Sequence, residues 1–216
     1  MENRPFIVPE SGDPSVVHQY FPPLRLSLFC CHYWWLAEWN YTGLSCPYWR
    51  IYWNDTPGAF VSFAKQQYAL DPDRFTLIAP NTPVSGQFHE TASCSAKEGY
   101  CVIGGPANER QEENPPNSAR QRILHFFAHF ALAPPYNQVS SRVLQIPIAP
   151  QKTVRMATLA ETFGGKKEVI SLQTTLQVYA LITDLLTYLP GDAWSSAPND
   201  MRIPQYPCPG GAVSYA

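Results

Sequence analysis

Two histidines, His125 and His129, are the first residues whose type and spacing suggest chemistry. On a helix, side chains four residues apart share one face and could hold one metal ion, as in the H-E-x-x-H motif. The intervening Phe126, Phe127 and Ala128 supply no carboxylate base, and their aromatic content favours a strand. On a strand, at about 3.3 Å per residue, the two rings would lie roughly 13 Å apart. We therefore expect no shared metal, and histidines that are satisfied in or near the core.

An arginine flanked by tyrosines is the second chemical feature, in the run from Tyr48 to Trp53. Alternate residues of a strand face opposite sides. The two faces carry Tyr48, Arg50 and Tyr52, or Trp49, Ile51 and Trp53. With Arg50 inward, the site suits a polar or anionic small molecule, because a guanidinium binds carboxylates with paired hydrogen bonds. With the tryptophans inward, the site is apolar or suited to stacking on a sugar; we favour the arginine.

Other catalytic motifs are missing from the sequence. It contains no G-x-S-x-G, no Walker A motif and no G-x-G-x-x-G after a predicted strand. Asp55, Asp71 and Asp73 lie in predicted turns, where turn and capping hydrogen bonds account for them. We therefore predict that the protein is not an enzyme and needs no cofactor.

Short strands separated by turns must position these residues. Aromatic and branched residues fill 48–53, 59–70 and 75–79, and the residues between them are rich in Gly, Pro, Asn and Asp. Leu24, Leu26 and Leu28 alternate with polar residues, which fits a first strand. This pattern is typical of an antiparallel sandwich or small barrel.

Residues 29–41 are unusually dense in aromatic side chains, among them Trp35. Such rings bury a large area, and a buried indole N–H needs a hydrogen-bond acceptor. The rings either fill a barrel core or line a pocket that stacks a flat or sugar-like ligand.

The order of these segments resembles the cupin-type sensor domain of AraC-type transcription regulators. The resemblance is carried by an aromatic strand, a turn ending in Gly58, a strand ending at Leu70, the step Asp71-Pro72-Asp73-Arg74, an apolar strand and Pro80-Asn81-Thr82-Pro83. The family usually shows L-x-P-G-D at the step that follows the second strand, and P-P-x-x-P-H where this chain has Pro80-Asn81-Thr82-Pro83. The segment from His125 to Phe130 resembles the aromatic strand near the end of the family's barrel, and the whole likeness covers roughly residues 20–190.

The resemblance implies a cupin-like antiparallel β-barrel (a double-stranded β-helix or jelly roll) followed by two helices, with a small-molecule pocket and a homodimer. The effector would be a sugar or a small polar or anionic compound. The candidate ligand-contacting residues are Trp35, Tyr48, Arg50, Tyr52, His89 and His129.

Cupin enzymes hold a metal through a His-x-His pair, a Glu and a later His, because the metal needs several converging N and O ligands. Where the first pair would fall, this chain has Ser45-Cys46-Pro47-Tyr48-Trp49, and after Pro83 the nearest histidine is His89. We therefore expect no metal. Two alternatives stay open: a cupin-fold enzyme acting on a sugar or small acid, and a purely structural dimerisation module.

Two helices are predicted after the barrel. Thr153 is a plausible N-cap for a helix over 154–163 that stops at Gly164-Gly165. Ser171 can cap a second helix over 172–189, ended by Pro190-Gly191. The second helix has a wide apolar surface. A helix that contacts one neighbour on one side and water on the other would need a narrower one.

In the family the equivalent helices form the dimer interface, and an intramolecular helix pair is the alternative. The candidate interface residues are Leu172, Leu176, Tyr179, Thr183 and Leu186.

The sequence predicts four regions. Residues 1–23 form an N-terminal arm, either a plain tail or, as in the family, a ligand-responsive lid. Residues 24–150 form the barrel, with a surface insertion over 86–119, and 151–190 form the helical dimerisation segment. Residues 191–216 form an irregular, proline-rich tail where relatives continue into helix-turn-helix units. We expect that DNA-binding domain to be absent here, so that contact with DNA would need a unit this chain lacks.

The formal net charge of −2 gives no basic footprint for nucleic acid. No stretch is apolar and long enough for a signal peptide or a membrane span. The sequence therefore predicts a cytoplasmic protein that does not contact the membrane.

Overall fold

The computed structural model describes residues 24–88, 100–108, 123–134, 136–148, 150–165 and 169–194. These residues form nine strands and two α-helices. The strands are β1 (Leu26–Leu44), β2 (Trp49–Asn54), β3 (Ala59–Phe63), β4 (Gln66–Leu70), β5 (Arg74–Ile78), β6 (Val84–Phe88), β7 (Tyr100–Pro106), β8 (Ile123–Leu132) and β9 (Val143–Pro147). The helices are α1 (Pro150–Phe163) and α2 (Leu172–Leu186), followed by a 3₁₀ turn at Gly191–Ala193.

The 19-residue strand β1 organises the sheet. It unites the predicted first strand with the aromatic segment that follows. β8 pairs with its first half, from Leu26 to Leu36, and β7 pairs with Trp34 to Tyr41 on the opposite edge. A β-bulge at Phe29 shifts the register between Leu28 and Cys30.

The strands form one antiparallel sheet in the order β4-β3-β6-β1-β8-β2-β5-β9, with β7 added beside β1. The two ends of this order meet, because Gln145 Nε2 of β9 donates a 2.6 Å hydrogen bond to the Ala69 carbonyl of β4. Arg74 bonds to both Gln145 and Asp71 across the same seam. The sheet is therefore a nearly closed barrel with two helices after it, which confirms the predicted cupin-like fold class.

The predicted continuous strand over 59–70 is instead the hairpin of β3 and β4. Its two turn residues, Ala64 and Lys65, have φ of 49° and 68°. Two consecutive positive φ values are typical of the type I′ hairpin turn, which usually carries Asn or Gly. The sequence prediction missed the turn because neither residue is present there.

The predicted insertion over 86–119 is also wrong in part, because β6 reaches Phe88 and β7 lies within that range. Gly104 and Gly105, which suggested a loop, belong to β7 and pair with Leu36 and Trp35. A Cβ at Gly104 would lie 2.3 Å from the Trp35 carbonyl oxygen. The glycine is therefore needed for a close approach between strands. Residues 89–99 and 109–122 lie outside the described residues.

Helix α1 begins at Pro150, so Thr153 lies inside the helix rather than at its N-cap. Proline suits a first helical position, because the N–H it lacks would have no partner there. The helix ends at Phe163, before Gly164, as predicted. Helix α2 begins at Leu172 as predicted but ends at Leu186, three residues early, because the backbone turns from Thr187.

Ser171 is the predicted N-cap of α2: its Oγ accepts a 3.1 Å hydrogen bond from the Thr174 amide. Replacing Ser171 by alanine is expected to lower the free energy of unfolding by about 1 kcal/mol, because the amide loses its acceptor. Ser171→Asp keeps an acceptor and should retain most of that stability. Urea denaturation of both variants measures the difference, and equal loss in the two would contradict the assignment.

Two buried clusters lie on opposite sides of the sheet. The first lies between the sheet and the helices and includes Trp49, Ile51 and Trp53 of β2. The second lies inside the barrel, contains residues from eight strands, and includes Tyr52. The tryptophan face of β2 therefore packs on the helices and the arginine face points into the barrel, which is the arrangement that the sequence analysis favoured.

In the described ranges, neither helix is long and apolar enough to cross a membrane.

Candidate functional site

The side of β1, β8 and β2 that faces the barrel interior carries an ordered array of polar and aromatic residues, here called the inner face. Its cross-strand rows follow from the register of the three strands. The rows are Cys30, His129 and Arg50; His32, Phe127 and Tyr52; and Trp34, His125 and Asn54. Tyr48 extends the β2 column beyond Arg50, and its ring lies 5.0 Å from that of His129.

Arg50 is the most unusual member of the inner face, because its side chain is only 1% exposed. Its Nη2 donates a 2.8 Å hydrogen bond to the Thr82 carbonyl, and both Nη atoms lie 3.4 Å from the Leu44 carbonyl. Its Nε is buried without a hydrogen-bond partner. Among the described residues, the ion pairs of the arginines involve Arg74 and Arg142, and no carboxylate faces Arg50. The guanidinium charge is therefore balanced by carbonyl dipoles and by a hydrogen bond with the neutral Tyr52 phenol, and no described carboxylate offsets it.

The groups next to Arg50 are neutral at physiological pH. Burial raises the pKa of Tyr52 and raises that of Tyr41 well above its ordinary value, although the Arg50 charge opposes both shifts. A hydrogen bond with the Cys46 thiol, and then burial, raises the pKa of Tyr48 to about 12. None of these phenols supplies a negative charge to the site.

The two histidines of β8 are held neutral as well. Burial, followed by the proximity of His129, lowers the pKa of His125 to about 3. Burial, followed by the Arg50 charge, lowers the pKa of His129 to about 4. His125 Nδ1 lies 2.7 Å from Asn54 Oδ1, an acceptor, so the neutral ring carries its proton on Nδ1.

The rings of the inner face form a continuous set of contacts. Phe127 lies at its centre, with ring centroids 5.2 Å from His32, 5.7 Å from His125 and 5.5 Å from His129. In the β2 column Arg50, Tyr52 and Asn54 are buried. Several other residues of the inner face are only half-buried: Tyr48, His32, Trp34, Phe127 and His129. The inner face can therefore offer rings for stacking at its β1 and β8 side and a cation at its β2 side.

The structure brings together four of the predicted ligand-contacting residues: Tyr48, Arg50, Tyr52 and His129. Trp35 lies on the other face of β1, paired with Leu124 and Gly105, and Trp34 takes the inner position. His89 lies outside the described residues. Five further residues of the inner face were not predicted as site residues: His32, Trp34, Phe127, His125 and Asn54. The period-two spacing of His125, Phe127 and His129 was a usable indication.

The predicted interface residues of α2 lie mainly on its outer side. Leu172 and Leu176 are 74% and 56% exposed, and Thr183 is also exposed. Tyr179 and Leu186 are half-buried. The residues that broaden the apolar face pack into the first cluster instead: Val178, Leu181, Ile182 and Leu185.

Within the described residues, no group of three or more His, Cys, Asp or Glu side chains is arranged to hold a metal ion.

Two solved structures of ToxT from Vibrio cholerae, an AraC-family regulator, are similar to this chain. A 1.65 Å structure has a TM-score of 0.42 and 8% identity, and the match covers 81% of this chain and 61% of ToxT. A complex with (E)-4-(8-methylnaphthalen-1-yl)but-3-enoic acid has a TM-score of 0.42 and 9% identity, with 79% and 59% covered. This chain thus spans about three fifths of the ToxT chains it matches. The sequence matches no protein-family model and no curated protein.

Proposed function

We propose that this chain is the small-molecule sensing and dimerisation domain of an AraC-type transcription regulator, and that its effector is a small anionic compound bound at the inner face. The supporting observation is the buried guanidinium of Arg50, which no carboxylate of the described chain faces. The site binds and releases its ligand, and no chemical step is part of the proposal.

Removing a cation from water costs several kcal/mol unless an opposite charge and hydrogen bonds replace the lost hydration. Arg50 makes one short hydrogen bond to Thr82 and keeps a buried, unpartnered Nε. An incoming carboxylate would supply both the countercharge and the missing acceptor. The half-buried rings of Phe127 and His129 would contact the apolar part of the same ligand.

The same strands connect the inner face to the helices. In β2, Arg50 and Tyr52 point into the barrel, whereas Trp49 and Ile51 pack in the cluster that contains α1 and α2. A ligand that displaces the rings of Phe127 and His129 would also shift β2, whose Trp49 and Ile51 pack against the helices. We expect it to bias the population of α2 arrangements, which in a complete regulator would reposition the DNA-binding unit.

A thermal-shift screen of the purified chain tests the proposal, with small aromatic carboxylates, their uncharged amides and free sugars as probes. A ligand at about a hundred times its Kd should add roughly 2.7 kcal/mol to stability. We expect stabilisation by carboxylates and none by the matched amides. Stabilisation by sugars alone would contradict an anionic effector, and a response to none of the three classes would contradict the sensor.

Replacing Arg50 by methionine should abolish stabilisation by the carboxylate. The ligand-free stability should change by less than about 2 kcal/mol, because the lost hydrogen bond to Thr82 and the relief of a buried charge oppose each other. The matched control is Arg74→Met, an exposed arginine of the barrel seam, which should retain the response. A purely structural role for Arg50, in which it only links the Leu44 and Thr82 carbonyls, predicts a different result. Arg50→Met would then lower the free energy of unfolding by several kcal/mol, and carboxylates would not stabilise the unmodified protein.

A further inference from the structure

In the described part of the chain, the first half of β1 has one edge without a partner strand. β8 pairs with Leu26 to Leu36 on one side, but on the other side pairing with β7 begins only at Trp34. The last bond on that side joins the Ala107 amide to the Tyr33 carbonyl at 3.0 Å. Among the residues that the structure describes, no strand pairs with residues 26–32 along this edge. An open edge presents backbone N–H and C=O groups that pair readily with another strand.

An apolar cleft of about 270 Å³ lies beside this edge. Every residue from Leu28 to His32 borders it, and because alternate side chains face opposite sides, the cleft must follow the strand edge. Its other wall is formed by Phe163 at the end of α1, by Ile170, and by Thr175 and Val178 of α2. Among the described residues, no carboxylate, lysine or arginine lines it, and burial lowers the pKa of His32, so a neutral, apolar surface fits it best.

Exposed apolar side chains are concentrated near the start of β1 and around the start of α2. Seven large apolar side chains of the described residues are exposed, and five of them lie on the start of β1 or around the start of α2. These five are Leu24, Phe29, Val169, Leu172 and Leu176, exposed by 47%, 58%, 87%, 74% and 56%. Such a concentration beside an open strand indicates a protein–protein interface rather than scattered surface residues.

We propose that a second copy of this chain covers this surface, with the two β1 edges pairing antiparallel about a two-fold axis. An antiparallel strand edge is self-complementary, so the same patch can serve both subunits. The uncharged cleft imposes no like-charge repulsion. Because the helices pack on one face of the sheet, a sheet continued across the axis places the two α2 helices on the same side, with their exposed leucines near the joint.

This inference rests on the dimerisation part of the proposed function, and it assigns the contact to β1 as well as α2. Sedimentation equilibrium of the full chain tests it with Phe29→Lys, which places a charge on the edge strand itself, where the Phe29 ring lies 5.8 Å from the Tyr48 ring. The dimer Kd should rise at least about 10-fold. The matched control is Ile103→Lys on β7, another exposed apolar strand residue, which should leave the Kd within about 2-fold.

Hydrogen exchange of the unmodified chain supplies a second measurement that does not depend on how the variants fold. Amides of residues 27–31 should exchange more slowly at concentrations where the dimer forms, while those of β4, at one end of the strand order, should not change. One result would overturn the β1 joint and leave dimerisation intact. In it, Leu176→Lys disrupts the dimer, Phe29→Lys does not, and hydrogen exchange at residues 27–31 does not depend on concentration. A monomer at all concentrations would overturn both.

Discussion

Acidification from pH 7 to pH 5 is expected to lower the free energy of unfolding by about 3 to 4 kcal/mol, because two histidines of the inner face must stay neutral in the folded chain. Their pKa values, about 3 for His125 and about 4 for His129, lie below the ordinary value of 6.5. The unfolded chain therefore takes up protons first as the pH falls. The stability is fully present above about pH 7 and is lost progressively from pH 6.5 down towards the folded pKa values.

Urea denaturation at pH 7, 6 and 5 measures this loss. His129→Gln should remove about half of it, because each histidine contributes about 2 kcal/mol over this range. The positive charge of Arg50 and the neighbouring His32 help to keep His129 neutral. A free energy of unfolding that does not change between pH 7 and pH 5 would show that the two histidines are not buried as described.

Replacing Trp49 by alanine is expected to cost about 3 to 5 kcal/mol, the second large effect. Its side chain has no exposed surface, stacks on Phe130 with ring centroids 5.9 Å apart and planes 6° apart, and lies 6.3 Å from Trp194. It thus fills the space between the sheet and the C-terminal part of the described chain. Removing it leaves a cavity that the rigid strands cannot close.

Trp49→Phe separates ring packing from hydrogen bonding. The Nε1 of Trp49 is buried with no acceptor, so phenylalanine removes an unsatisfied donor while it keeps an aromatic ring. We expect this variant to lose much less than the alanine variant. In the matched variant Trp53→Phe, the 3.1 Å hydrogen bond from Nε1 to the Pro72 carbonyl is lost, so the cost should be larger than for Trp49→Phe. Chemical denaturation of the three variants tests the order, and the reverse order for the two phenylalanine variants would contradict it.

Local patterns were sufficient to predict several parts of this fold. Aromatic and branched runs placed β2 and β5, and Ser171 marked the start of α2. The alternation of side chains in β2 limited Arg50 to two orientations, and the flanking tyrosines favoured the correct one. These features depend on residues that are close in sequence, where propensity and periodicity apply directly.

The composition of the inner face could not be predicted in this way. Asn54 and His125 meet across 71 positions of sequence, and their contact depends on how β2 and β8 align. A slip of one residue in that alignment would exchange the two faces of a strand. The hairpin turn at Ala64 and Lys65 was missed for a different reason, because backbone pairing imposes positive φ on residues that do not favour it.

The bulge at Phe29 has a consequence for the whole length of β1. Leu26 and Leu28 pack towards the helices, yet Cys30, His32 and Trp34, which continue the same even numbering, point into the barrel. One extra residue changes the phase of the strand, so that a single segment supports the helical layer first and lines the interior afterwards. The sequence prediction named Trp35, which lies on the other face of β1, whereas Trp34 takes the inner position. The bulge at Phe29 thus allows one strand to contact the helices with its first residues and to line the barrel interior with the later ones.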